Sequence, residues 1–462
     1  MSGETRHLLH RETRSLSESD DVATLGVKPY GPLVALAMAL NYIIGTGCFG
    51  LPFAFTQAGI GLTTGLLLVG AVGSVVTMNY TLESLARAEG VCAATHSGAP
   101  RHEITFRKFE FATVGDMFAG RGGKLAVQVV MVLYCMGSLW SYASVFASSM
   151  GSLFFTYVLR DTCDVYGADP SGGCLTSYYV FMAIFAAVVL SMVLMDLSDQ
   201  AAVQKFLSVY RIVAFALMLV TMLVKLGVDG FDLLEARYAA IGAANWRNFG
   251  KGFGPTLLAL NCHGTHAWWR LPLWQSRAFA TCSSACSAPW SSTKSTRWRR
   301  SCGRRTRAAA TDGTRASNGT RWLVILLFPV VNVVSAYPMV GVTVGDNMHM
   351  SFPRDLTARF GHEATRSLCR LSVAVPPILL AIVFKKLDFI FSVAGLFGFL
   401  LGLSIPCWFQ VVGTRYCQRV WGFKGAAVTP FTVPVISSVV FSGTFLALTF
   451  GIFAVAVATL NA

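Results

Sequence analysis

The chain has 462 residues, 54% of them hydrophobic and 13% charged, about half the ~25% charged share of a soluble domain. Apolar stretches of roughly 20 residues recur along it, each able to span a hydrocarbon core of about 30 Å as helix, so a soluble protein is excluded and an all-α polytopic membrane protein is expected. The net charge of +14 is no nucleic-acid signature, because ten Arg and one Lys against one Asp crowd into residues 263–321 and leave only +4 for the rest.

In chain order, residues 1–28 are polar and charged, lack the apolar h-region of a cleavable signal peptide, and are expected to form a flexible cytosolic tail. Within it, Glu4-Thr5-Arg6-His7-Leu8-Leu9 fits the acidic dileucine pattern E-x-x-x-L-L, which can route proteins to endosomes or lysosomes; a chance match is the alternative. Residues 29–262 follow as a first membrane block of six helices, with spans expected at 31–57 (broken), 59–86, 124–158, 176–195, 208–227 and 249–262 (short). Residues 322–462 form the second block, with spans at 322–343, 368–385, 388–411 and 431–459. Cys163 and Cys174 bracket a short polar loop that holds no Lys or Arg between them. If that loop faces an oxidising lumen a disulfide can form; two unlinked thiols are the alternative. Cys48, Cys135, Cys369 and Cys407 read as small buried apolar residues.

The most informative stretch is Met38–Phe55, M-A-L-N-Y-I-I-G-T-G-C-F-G-L-P-F-A-F, an uncharged span with glycines and a proline where a helix should be continuous. Each glycine costs a helix interior about 1 kcal/mol relative to alanine, and proline about 3. A break at membrane depth also frees peptide groups that lipid cannot satisfy, so it survives where those groups face a protein cavity or a ligand. Gly45-Thr46-Gly47 lets the backbone unwind, and half-helix N-termini present N–H groups to a carboxylate. Asn41 sits one turn before Gly45, where its amide oxygen could ligate a cation. The other reading makes Gly45, Gly47 and Gly50 close-packing positions between helices, with Asn41 in an interhelical hydrogen bond.

Basic residues set the orientation. With a cytosolic N-terminus, the loop 87–123, carrying Arg87, Arg101, Arg107, Lys108 and Arg121, is cytosolic too, and the cysteine loop is outside. Ten spans would then place Arg354, Arg359, Arg366, Arg415, Arg419 and Lys424 outside. One extra crossing between 263 and 321 restores the rule and makes eleven. That segment holds five of the ten tryptophans and almost no Ile or Val. It is expected to be an out-of-frame reading that replaces the end of the sixth span and all of the seventh. A genuine basic insertion, disordered or lying on anionic lipid, is the alternative.

Asn41–Phe55 resembles the first-helix motif of the amino acid/auxin permease superfamily of amino acid transporters. The broader chain is similar to its transmembrane protein 104-like branch, through E-I-T at 103–105, Met117-Phe118, Gly137, Leu139, Tyr142, Ala143 and S-A-Y-P-M-V-G-V-T-V-G-D-N at 335–347. The resemblance covers nearly all of 28–460 except 263–320. It implies a LeuT-like fold of eleven helices, two inverted five-helix repeats plus one helix, with substrate held on the unwound backbone of Ile44, Gly45, Thr46 and Gly47. It further implies that G-F-G-P-T-L-L-A-L-N at 252–261 opens the other unwound segment of the site. In sodium-coupled members an asparagine at the place of Asn41 helps bind the ion, with a Ser or Thr hydroxyl on the eighth helix. Ser335 is the nearest match here, although the register before Pro338 aligns Ala336, so protons compete with sodium as the driver.

Glu83, Arg211 and Asp196 lie near span ends, where snorkelling or surface pairing is expected. No nucleophile elbow, P-loop or histidine cluster points to catalysis or a metal, so no enzyme activity and no cofactor beyond a coupling Na+ or H+ is expected. The expected partners are a small amino-acid substrate and the lipid bilayer, not nucleic acid, in the plasma membrane or an endosomal or lysosomal membrane. The expected function is secondary active transport of amino acids or similar zwitterions; the alternative is a transport-inactive receptor or scaffold of the same fold. The chain as written should not transport, because one wall of the site and the seventh helix are missing. Genomic DNA behind residues 263–320, read in its other two frames, should encode an apolar segment of about 20 residues; polar sequence in both would establish a genuine insertion.

Overall fold

The computed structural model describes residues 47–97, 109–161, 163, 165–166, 172–195, 200–229, 242–260, 313–350, 361–425 and 433–460. Among these residues the regular structure is entirely helical. The helices are α1 (Gly47–Ala58), α2 (Ile60–Ser97), α3 (Phe111–Phe154, extended by a π turn, Phe155–Leu159), α4 (Gly172–Leu194) and α5 (Ala201–Asp229). A 3-10 turn (Trp246–Asn248) leads into α6 (Phe249–Leu260), followed by α7 (Gly313–Met350) and α8 (His362–Val383). Then come α9 (Leu387–Phe399), a π turn (Leu400–Ser404), α10 (Ile405–Trp421) and α11 (Val439–Leu460). Eight of the described stretches are long and apolar enough to cross a membrane, which makes this an integral multi-pass membrane protein. The 12-residue α1 and α6 are too short to cross alone.

Several boundaries differ from those expected. The second span runs on to Ser97 rather than residue 86; its 38 residues reach about 57 Å, well past the hydrocarbon core. Arg87 therefore sits inside α2 and is not a loop charge. The third element starts at Phe111 rather than 124, because Gly120, with φ 67°, reverses the chain and lays 111–119 back on the start of the span. A Cβ at Gly115 would stand 3.0 Å from the Gly123 carbonyl oxygen, a fit that needs small residues on both sides of the reversal. The span expected at 388–411 continues through the π turn to Trp421, and the last helix begins at Val439, after turns at 434–437.

The bundle is organised on α3. Val127, Met131, Cys135, Leu139, Ala143 and Ala147 recur every four residues and are all buried, forming one i±4 ridge. It packs against α4, α7, α8 and α9. At the rim, α5 turns Phe206, Val209, Val213 and Leu223 outward, as lipid contact requires of a helix with no aqueous face. Cys163 and Cys174 are joined by a disulfide with Cα atoms 5.4 Å apart, while Cys135, Cys369 and Cys407 are buried thiols.

Helix ends inside the bundle are closed by protein. Gly59, at φ 88°, turns the chain from α1 into α2. The N–H groups of Gly61 and Leu62, at the start of α2, donate to the Ala243 carbonyl at 2.8 and 3.1 Å, and the Asn245 N–H donates to the Ala58 carbonyl at 2.7 Å. The strand-like segment ahead of α6 thus serves the orphan groups of two other helices.

Two ionic clusters tie the helices together. Glu83 and Arg87 are each 1% exposed, which corrects the expectation that Glu83 snorkels. The Glu83 carboxylate accepts from Asn79 Nδ2 (2.9 Å), Arg87 Nη2 (3.2 Å), Gln410 Nε2 (2.7 Å) and Ser437 Oγ (2.6 Å). Arg87 also donates to Gln410 Oε1 (2.8 Å) and to the Lys424 carbonyl (2.9 Å), so α2 is bound to α10 and to the approach to α11. In the second cluster Asp346 of α7 accepts from Arg366 and Arg370 of α8 at 2.8–3.1 Å. Arg370 continues to the Val193 and Met195 carbonyls at the end of α4. Arg366 is thereby a helix-pairing residue, not a loop charge.

Removing one member of the first cluster strands its partner. Glu83→Ala should cost about 3–5 kcal/mol, the penalty of an uncompensated buried charge, read as a lower thermal midpoint in detergent. Glu83→Leu combined with Arg87→Met should recover most of that loss; a single Glu83→Ala that leaves the midpoint unchanged would show the cluster to be dispensable.

Candidate functional site

The expected site centres on the first span. Asn41, Ile44, Gly45 and Thr46 lie outside the described residues; Gly47 is the first residue of α1. From Gly47 onward α1 lies antiparallel on α6 at backbone contact. A Cβ at Gly47 would stand 2.5 Å from Ala259 Cα, and at the other end one on Gly252 would stand 2.4 Å from Ala58 Cβ. Between them, a Cβ on Gly50 would meet Pro255 Cβ at 2.9 Å. For Gly47 and Gly50 the close-packing reading therefore holds.

The partner helix supports the expectation for 252–261 in one respect and corrects it in another. The Phe249–Leu260 segment is regular helix and not an unwound segment. Pro255 nevertheless sits inside it and cannot donate to the carbonyl four residues earlier. The neighbouring Thr256 hydroxyl donates to the Gly252 carbonyl at 2.7 Å, a different carbonyl from that of Lys251, which Pro255 leaves without its helical donor. On its far side α6 is pressed against α9: a Cβ at Gly254 would lie 2.5 Å from Ser392 Cα, and one at Gly395 would overlap the Gly254 carbonyl oxygen at 1.9 Å. Helices α1, α6 and α9 form a small-residue stack whose backbones touch, and α9 leans in turn on α3, where a Cβ on Gly137 would meet Ala394 Cβ at 2.9 Å.

Ser335, the second expected ion ligand, is fully buried in α7, one turn after Asn332. Its hydroxyl donates to the Asn332 carbonyl at 2.8 Å and accepts from Arg211 Nη2 of α5. The same guanidinium nitrogen donates to the Asn332 carbonyl at 3.2 Å. Gln204, two turns earlier on α5, donates to the Ser335 carbonyl at 2.9 Å, and between them the Ser208 hydroxyl donates within α5 to the Gln204 carbonyl at 2.7 Å. Arg211 is 1% exposed, so snorkelling is excluded for it as well; Asp196 lies outside the described residues. An arginine at membrane depth costs about 2.5–3.5 kcal/mol on insertion scales and marks a function by default.

Two polar stripes escaped the sequence analysis. Gln204, Ser208 and Arg211 recur at i, i+4 and i+7 on α5 and are all buried. Ser138, Ser141 and Ser144 recur at i, i+3 and i+6 on α3 with the same burial. In both cases the signal was present: polar residues at helical spacing inside an apolar span face the bundle and not the lipid.

Comparison with known proteins places this geometry in a family context. The model of the transmembrane amino acid transporter protein family matches residues 29–238. A Caenorhabditis elegans protein named Transmembrane protein 104 homolog is 27% identical over 266 residues, 54% of this chain and 52% of its own length. The Mus musculus and Homo sapiens proteins named Transmembrane protein 104 are each 24% identical over 247 residues, 43% of this chain and 50% of theirs. The chain spans about half the length of these curated relatives. The resemblance to amino acid transporters, and to the transmembrane protein 104 branch among them, therefore stands on both comparisons.

Proposed function

We propose that the protein, with the sixth and seventh helices that its genomic locus is expected to encode in place of residues 263–320, is a secondary active transporter of amino acids or similar small zwitterions, driven by an ion gradient and working by alternating access. The observation that carries the reading is the amino acid transporter family match, which includes the glycine-interrupted motif at 41–55. In this reading the substrate carboxylate docks on the backbone N–H groups of Ile44, Gly45, Thr46 and Gly47, with Asn41 supporting the local fold or a coupled cation. The stack of α1, α6 and α9 fits the role: helices in backbone contact move as one body, and a rigid hand-hold is what rocking of a bundle requires. The membrane is the plasma membrane or, through the tail motif, an endosomal or lysosomal one.

A second reading is a receptor or scaffold of the same fold without transport; the packing of the Cα side of Gly47 directly on α6 is compatible with either. Uptake of labelled amino acids into proteoliposomes, by the protein expressed from its genomic locus, separates the two. Gly45→Val is the informative variant, since a side chain at Gly47 would collide with α6 whatever the function. Gradient-driven uptake reduced about tenfold or more in the variant, equivalent to at least about 1.4 kcal/mol at the barrier, supports transport. Saturable amino-acid binding without flux in the native protein supports the receptor.

A further inference from the structure

The Cys163–Cys174 disulfide joins the end of α3 to the start of α4 and marks one face of the bundle. The opposite face is marked by Arg370, which meets Asp346 near the end of α7 and the Val193 and Met195 carbonyls at the end of α4. α7 therefore begins on the disulfide face. α8 returns to that face, where Tyr178 of α4 donates to the Ala381 carbonyl at 2.8 Å, and α9 with α10 crosses back. Arg87, towards the end of α2, bonds the Lys424 carbonyl beyond α10, so α2 starts on the disulfide face, at Ala58–Gly59. α6 starts there too, beside Ala58. Its 12 residues descend about 18 Å into a core of about 30 Å. A chain that descends through α6 and begins α7 on the disulfide face has to cross once more in between.

The surface that fits such a helix is on α5. Gln200, ahead of α5, donates to the Met192 and Met195 carbonyls, so α5 runs towards the disulfide face. Over its first half one side is sealed on α7, with Gln204, Ser208, Arg211 and Ala214 buried. Beyond Ala214 the seal ends. Phe215 and Met222 continue the line of Arg211 at i+4 and i+11, yet they are 41% and 68% exposed, and none of residues 215–224 is buried. This bare half flanks the entry to α7, because Tyr210, just below it, reaches the Val324 carbonyl at 2.8 Å.

The rest of the bundle shows what fills the equivalent place. Its helix pairings recur: α3 packs on α9 as α7 packs on α5, and α3 packs on α8 as α7 packs on α4. α10, which continues α9, is covered by α2, with Gln410 on Glu83 and Arg87. The bare half of α5 holds the position of α10 in this pattern and lacks the counterpart of α2. α2 directly follows α1, the helix paired with α6, so its counterpart directly follows α6. We infer that the bare half of α5 is the seat of a crossing helix of this same protein. It is the helix that its genomic locus is expected to encode in place of residues 263–320, running up to the disulfide face beside α5 and α7. A helix that hands on to α7 by a short connection packs as its antiparallel neighbour. The inference holds whether the protein transports or only binds.

Nitroxide labels at Phe206→Cys, Phe215→Cys and Met222→Cys test it, one label per protein, in a background that keeps only the disulfide cysteines. In nanodiscs, collision with dissolved oxygen reports contact with lipid. In the protein expressed from its genomic locus the Phe206 label should be freely accessible, as a residue 71% exposed on the rim, and the Phe215 and Met222 labels several-fold less so. Equal accessibility at all three positions overturns the inference, since lipid then covers the seat. Dipolar broadening between labels on two copies also overturns it, by making the surface a contact of the protein with itself. Should the labelled proteins fail to fold, crosslinking decides. Met222→Cys, paired in turn with single cysteines along the new helix, should form a disulfide with one face of that helix; no crosslink anywhere along it overturns the inference.

Discussion

No water reaches the hydrocarbon core, so every polar group placed there must find its partner within the protein. The architecture follows from how this chain meets that constraint. Turn carbonyls at 242–243 receive the N–H groups that begin α2, and Asn245 caps the carbonyl that ends α1. The Glu83 carboxylate is satisfied by four donors from α2, α10 and the approach to α11. Asp346 gathers two arginines, of which Arg370 itself reaches the end of α4. Each cluster joins elements distant in sequence, which apolar packing alone would leave free to slide, since lipid competes equally well for apolar surface.

In another part of the bundle, backbone proximity holds the helices together. The α1, α6 and α9 stack relies on glycines at 47, 252, 254 and 395, each placed where a Cβ would collide with a neighbour. Such a stack is stiff, and it includes the second half of the glycine-interrupted motif of the first span. The polar seam between α5 and α7 lies elsewhere in the bundle and is of the opposite character. It is rich in hydrogen bonds and holds a permanent positive charge at Arg211.

Much of this fold could be read from the residues. The apolar spans among the described residues and the bracketing cysteines correspond to structural elements, because length and hydropathy report directly on burial in lipid. The reversal at Gly120 could not be read, since a glycine before Arg121-Gly122-Gly123 looks like any loop and its positive φ is a tertiary outcome. Nor could the fates of Glu83, Arg87 and Arg211. A charge near a span end snorkels or turns inward according to whether a partner such as Gln410 or Ser335 waits across the bundle, and those partners lie 323 and 124 residues away. Of the expected site, Ser335 is engaged with Arg211, which its place near a span end had assigned to the membrane surface, and Gly47 lies in close contact with α6. Asn41, Ile44, Gly45 and Thr46 fall outside the described residues, and the case for them remains the motif itself.

The most direct test is a cryo-EM map of the protein expressed from its genomic locus, in lipid nanodiscs. The account predicts that helical density stops ahead of Gly47, with the peptide groups of 44–46 turned into a hollow beside α6, and that Arg211 side-chain density runs unbroken onto Ser335. A first span helical without interruption from Asn41 to Ala58, together with Arg211 facing the lipid, would contradict it.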